Sequence, residues 1–400
     1  MRHAWLFILG MAAAAAAGAA MPLQPLLDAT PSGGTLTLAP GDYAGPATVD
    51  RPMIVEGHGA ASLGNLGKGT VLTVHTRRAT IRGLTIRGSG SSNDGMDAGI
   101  LVEGDDNLIE TNVLEDVLFG IHVKQGRGNR IVGNRVRGKP LGEGLRGDGL
   151  RLWNSRNNLI DGNRFERVRD LTFANSPDNV VTGNVLRDGR YGMHFIFSPG
   201  ARVERNDIAH TSTGIVILYS PKMTLRGNSL AHVAGGGGAC ITFKESGEAL
   251  VEDNTLLHCA VGFQANAPLE ESAVITLKGN RFSHNTTAIY FYGEKGGHRI
   301  LDNRFEHNLT QVAVSAVSVG GDNVWSGNHW SDYQGFDRND DGIGDSPHEV
   351  FVFADRIWME EPITTFFRNS PAFELLDFLE RLAPFAAPAK ILSDPRPRFR

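Results

Sequence analysis

The chain repeats itself. An Asn set between apolar residues returns as IETNVL at Asn112, IVGNRV at Asn134, IDGNRF at Asn163, VTGNVL at Asn184 and VERNDI at Asn206. It continues as LRGNSL at Asn228, VEDNTL at Asn254, LKGNRF at Asn280, ILDNRF at Asn303 and WSGNHW at Asn328, and IRGLTI at Ile81–Ile86 is an earlier copy without Asn. Successive Asn stand 21 to 29 positions apart in the sequence. Each repeat also holds a glycine followed by alternating apolar positions, as in Gly99–Val102, Gly120–Val123, Gly149–Leu152, Gly192–Phe195 and Gly214–Ile217. Such short period-two runs mark strands with one buried face, joined by turns of Gly, Asn, Asp and Ser. A strand of this kind cannot bury its apolar side alone. Stacking coil on coil supplies the missing neighbours. The repeats are too short to hold helices between strands, which excludes an α/β arrangement.

The reading is therefore all-β: a right-handed parallel β-helix, a solenoid of about ten coils over residues 21–349, roughly 50 Å long at the usual strand spacing. The recurrent Asn is expected to form a ladder of side-chain amides from coil to coil.

Both ends depart from the repeat. Residues 1–20 have the form of an export signal: basic Arg2 and His3, apolar Trp5–Leu9, then small residues up to Ala20. The mature chain is expected outside the cytoplasm. Residues 350–400 read as a strand, an amphipathic helix and a tail. Ser370 suits an N-cap and Pro371 the first helical position, while Phe373, Leu376, Leu379 and Leu382, with Leu375 and Phe378 beside them, form an apolar stripe. The helix either caps the last coil or docks on a membrane-embedded partner, helped by the tail from Ala386 to Arg400. A formal charge of −5 gives no nucleic-acid signature. Cys240 and Cys259 are either bridged or buried thiols.

Three patterns bear on chemistry. Asp337, Asn339, Asp341 and Asp345, with the Ile343 carbonyl and a turn at Gly342, have the spacing of a calcium loop, although its twelfth position is His348 rather than Glu. Four residues after the repeat Asn stand His210, His232, His258, His284 and His307. In a stacked coil these imidazoles form a row able to ligate copper. The alternative is a turn position favouring small polar groups, because Asp116, Asp188 and Asp332 occupy it elsewhere. His194, beside the core residue Met193, is a further candidate for a copper-handling surface, with His122 three coils earlier. Polysaccharide chemistry would need clustered carboxylates and a base. The candidates are Asp94, Asp97, Asp105, Asp106 and Asp148 with Arg146 and Arg151, and they form no tight pattern.

The stretches GNHWSDYQGFDRNDDGIGDSPHEV (Gly327–Val350) and SPAFELLDFLERLAPF (Ser370–Phe385) resemble the NosD family of nitrous oxide reductase maturation proteins. The resemblance extends over nearly all of the mature chain. It implies a periplasmic subunit of an ABC-type complex, working with a permease, an ATPase and a copper chaperone to build the copper–sulfide centre of nitrous oxide reductase. In that setting the helix would anchor the chain on the permease. The resemblance carries over no catalytic residues. A polysaccharide-binding or lyase-like protein is the competing class.

Overall fold

The computed structural model describes residues 20–399, leaving out 236–237, 267–272, 294–295, 316–322 and 353–388, within which only Pro371, Leu375, Phe378 and Leu379 are described. All but the last residue of the expected export signal lies outside this set.

One turn shows how the sequence folds. Tyr191–Ile196 runs along one face, Arg202–Glu204 and Asp207–Ala209 form two shorter faces, and Thr213–Leu218 begins the next turn. Met193 pairs in register with Ile215 and Phe195 with Ile217, and all four are fully buried. His194, between them, faces outward as strand alternation requires. Repetition gives a parallel β-solenoid of about 13 turns, more than the ten that the Asn copies imply. The extra turns come from N-terminal strands such as Ala47–Val49 and Leu72–Val74, which lack the Asn. Twelve long-face strands stack in one sheet, and the short faces merge into a second sheet of 25 strands. They merge because Ile54–Gly64 and Thr80–Arg87 run through the corner that the later turns break. Buried aromatics pile along the axis, with ring centroids 4.4 Å apart for Phe173–Phe195 and 4.2 Å for Phe305–Trp330.

The corner explains the recurrent Gly-Asn. The residue before each Asn is left-handed, at φ +63° for Gly183 and +62° for Gly227, a region glycine enters without strain. Asn then fills the inside of the bend. Asn206 Oδ1 accepts the backbone N–H and the Nδ2 of Asn184, both at 3.0 Å. Its own Nδ2 donates to the Val181 carbonyl at 2.9 Å and to Asn228 Oδ1 at 3.0 Å. The ladder runs unbroken from Asn112 to Asn328. Two further columns run beside it: Asn107, Asn129, Asn158 and Asn179, and Ser155, Ser176, Ser198, Ser220 and Ser246.

The ends are closed differently. At the start, the helix Gln24–Ala29 and the preceding Leu23 cover the first turn, with Leu23 and Leu27 buried. At the far end the tail does the work expected of the amphipathic helix. The strand Ala389–Asp394 pairs antiparallel with His348–Val352, burying Ile391 and Leu392. Asp394 occupies the next rung of the ladder. Its Oδ2 accepts the backbone N–H of Asn328 at 3.0 Å, the Asn328 Nδ2 at 2.9 Å and the indole N–H of Trp330 at 3.2 Å. A carboxylate accepts without needing an acceptor of its own, so the ladder ends there. The described part of the tail thus caps the last turn. Val352 and Ala389 are register partners, so the two described strands of this hairpin end side by side.

Cys240 and Cys259 form the bridge that the sequence left open, tying neighbouring coils with Cα atoms 6.0 Å apart.

Candidate metal-binding and docking surfaces

The histidine row exists. Ring centroids are 5.1 Å apart for His210–His232, 5.2 Å for His232–His258 and for His258–His284, and 5.4 Å for His284–His307. All five are exposed at the surface and all are left-handed, with φ between +51° and +57°. Asp116 and Asp188 share that conformation. Asp and His are among the few residues that tolerate it, so the turn itself selects part of this pattern. What the turn does not require is five imidazoles in succession. The first two rings are stacked at 2°, while the last pairs are tilted by 46° and 50°. Ser283 Oγ lies 2.8 Å from His284 Nδ1.

With metal–nitrogen bonds of about 2 Å, two imidazoles on one ion need nitrogens within about 4 Å. Neighbouring ring centroids stand 5.1–5.4 Å apart, and because the nitrogen lone pairs lie in the ring planes, the rings would have to turn out of the stack to share an ion. Among the described residues no three His, Cys, Asp or Glu groups converge on one point. The chemistry available to the row is therefore two-coordinate ligation between adjacent rungs, which suits a soft monovalent ion.

His194 lies elsewhere. It belongs to an outward column on the long-strand face, in the register His122, Arg151, Thr172, His194. Three turns separate the two histidines, roughly 14 Å at the strand spacing, so they form no single site. Met193 is core, as its place in the strand requires. His122 is only 5 % exposed, its Nε2 has no hydrogen-bond partner, and burial with nearby Arg151 and Lys124 pushes its pKa down to about 4. Burial also lowers the pKa of His194, which meets Tyr191 edge-on at 5.2 Å.

Around this column the carboxylates are neutralised. Asp148, fully buried, accepts from Arg151 at 3.0 Å and from Arg169 at 2.8 Å. Asp170 binds Arg190 and the backbone N–H of Tyr191. Asp97 accepts the Ser92 N–H at 2.9 Å, and Asp105 accepts the Arg127 N–H at 2.9 Å. Arg146 bonds the carbonyls of Leu141 and Asp188. Of the residues considered for polysaccharide chemistry, Asp97, Asp105, Asp148, Arg146 and Arg151 are thus tied to guanidinium and backbone groups.

The loop 337–345 turns at Gly342, φ +80°. Asp337 accepts the N–H groups of Asp341 and Gly342 at 3.2 and 2.8 Å, Asp341 that of Ile343 at 2.8 Å, and Asp345 that of Arg338 at 2.8 Å. Each carboxylate keeps lone pairs free, but His348, the twelfth position, is stacked on Trp330 at 4.6 Å and buried away from the loop.

Of the predicted docking residues, Leu379 is helical and 48 % exposed, and its neighbours Leu375 and Phe378 are exposed at 56 % and 57 %. Phe373, Leu376 and Leu382 lie outside the described residues. The three large apolar side chains stand at i, i+3 and i+4, on one helical face. No helix among the described residues is long and apolar enough to cross a membrane.

The fold and its surface define a parallel β-solenoid that carries an ordered outer column of histidines. Residues 136–335 match the model of the family described as periplasmic copper-binding protein (NosD). The chain belongs to the NosD family. It is 29 % identical over 432 residues to a protein of Pseudomonas aeruginosa named probable ABC transporter binding protein NosD, covering 95 % of this chain and 90 % of that one. A protein of the same name from Stutzerimonas stutzeri is 27 % identical over 87 % of this chain and 83 % of its own. Among solved structures, the catalytic domain of a GH87 α-1,3-glucanase in complex with nigerose superposes with a TM-score of 0.61 at 13 % identity, over 74 % of this chain. The match spans 64 % of the glucanase domain, and at that identity it speaks for the fold alone.

Proposed function

We propose that the chain is the periplasmic accessory subunit of an ABC-type complex that matures the copper–sulfide centre of nitrous oxide reductase. It acts as a docking scaffold and copper relay rather than as an enzyme. The observation that carries this reading is the match to two transporter-binding NosD proteins over 95 % and 87 % of the chain. In this reading the exposed face of Leu375, Phe378 and Leu379 seats on the membrane permease, whose movement is driven by the ATPase. The stiff solenoid holds the copper chaperone and the reductase in place, favouring one or the other as its contacts change. Adjacent histidines from His210 to His307 hold Cu⁺ in pairs, so an ion steps from rung to rung along the axis, with His194 on a separate copper-handling surface. Loop 337–345 takes a structural Ca²⁺ through Asp337, Asn339, Asp341, Asp345 and the Ile343 carbonyl.

The test follows from the hairpin. Removing the tail would open the solenoid, so residues 353–388 are replaced by a short Gly-rich turn between Val352 and Ala389. The variant should keep the wild-type melting temperature, leave the membrane fraction and yield reductase deficient in catalytic copper. Fully loaded reductase in that strain rules the reading out. For the row, alanine at His232, His258 and His284 together should lower Cu⁺ stoichiometry, and unchanged binding returns those residues to a purely structural role.

A further inference from the structure

A cavity of about 650 Å³ opens at the C-terminal end of the solenoid. The last strand of the long face, the loop from Asp332 to Phe336 and the strand His348–Val352 form its walls. Among the described residues no lysine or arginine lines it, whereas Asp332 and Glu349 do. Its rim is aromatic. Phe336 is 67 % exposed, and Tyr333 stands in a fixed slot: its hydroxyl donates to the Ser346 carbonyl at 2.6 Å, and a Cβ on Gly335 or Gly344 would fall 2.0 Å from that oxygen.

On the inner wall stands His348, 8 % exposed, its ring stacked on Trp330. Its Nε2 has no hydrogen-bond partner, and the nearest carboxylate oxygen, Asp332 Oδ1, is 3.9 Å away, too far for a bond. Burial lowers the pKa of this imidazole against the pull of Asp332 and Asp394, which favours the neutral form, and the tautomer with its proton on Nδ1 presents a lone pair at Nε2. A buried polar atom without a partner is a cost that native structures seldom leave standing.

We infer that this cavity is a socket for a lysine side chain of a partner polypeptide. An ammonium group seated between His348 Nε2 and Asp332 donates to both when the imidazole proton sits on Nδ1. The faces of Tyr333 and Phe336 attract the same cation, and the apolar wall at Leu309, Val312 and Ile391 suits the methylene stem. Lys390, the nearby cation within the chain, is held by Glu349 at 3.1 Å.

The test uses the full mature chain and the peptide acetyl-Gly-Lys-Gly-amide, with its Nζ-acetylated form as control. Binding is followed by the NMR signals of the His348 ring and the Trp330 indole N–H. The lysine peptide should shift both signals and the acetylated peptide neither. Asp332→Asn and Phe336→Ala, both at exposed positions, should each weaken binding by roughly fivefold or more while leaving the melting temperature in place. Equal shifts with the two peptides, or undiminished binding by Asp332→Asn, overturns the proposal. Movement of the same signals by Ca²⁺ or Cu⁺ alone, with none from the lysine peptide, also overturns it and assigns the cavity to a metal ion.

Discussion

Two ladders climb this solenoid four residues apart in the repeat, one of buried Asn and one of exposed His, and they are held by different things. Successive Asn rungs are joined by hydrogen bonds at 2.9–3.1 Å, inside a bend that water does not reach. The His rungs have the same axial spacing but share only ring faces, at 5.1–5.4 Å. The inner ladder therefore sets the register, and the outer one inherits it. A functional row on a solenoid needs no bonds of its own to stay aligned.

Changes to the inner ladder should cost most. Asp394→Ala strands three buried donors at once, on Asn328 and Trp330, and is expected to destabilise by about 4 kcal/mol. Chemical denaturation reads this directly, and a loss below about 1 kcal/mol would show that the tail is not the cap. Asn206→Ala, which leaves the Asn184 N–H and the Val181 carbonyl unmatched, should cost about 3 kcal/mol. Reducing the Cys240–Cys259 bridge, which spans 19 residues, should cost a similar amount, again about 3 kcal/mol. That is testable by melting with and without dithiothreitol, the Cys240→Ser variant serving as control. In the outer row, His232→Ala should change stability by less than about 0.5 kcal/mol. A larger loss would mean that the rings stabilise the coil, and the comparison would fail.

His122 sharpens the contrast, being an outward residue that is nonetheless buried. Its folded pKa of about 4 lies below the ordinary histidine value, so the unfolded chain binds the proton first as pH falls. Stability should be at its full value above about pH 6.5 and decline between there and pH 4, by up to about 3 kcal/mol. His122→Gln should flatten that part of the profile. The exposed row should contribute little to it.

The repeat was legible because the constraint that makes it is local. Gly-Asn marks the bend, and the alternation around Met193 and Phe195 marks the buried face, so fold, register and the separation of His122 from His194 could all be read from spacing. The turn count fell short because strands such as Ala47–Val49 stack without an Asn. The serine column was present as Ser-x-x-Asn at Ser155 and Ser176, but short turns rich in Ser look alike in sequence. What could not be read was anything that joins distant parts of the chain. Asp394 completes a ladder 66 residues away, and His348, counted as a loop position, turned out to be the wall of a cavity.

The ladder has a direction: each rung hands its donors forward to the next acceptor, and only the carboxylate near the chain's end brings the sequence to a stop. A polypeptide that crosses a membrane N-terminus first would stack its turns as they emerge, yet carry an open, adhesive edge until the last dozen residues arrive. A chain on which Ala389–Asp394 has not yet docked is therefore at its most vulnerable. Chains truncated by even ten residues should be prone to add to one another end on end.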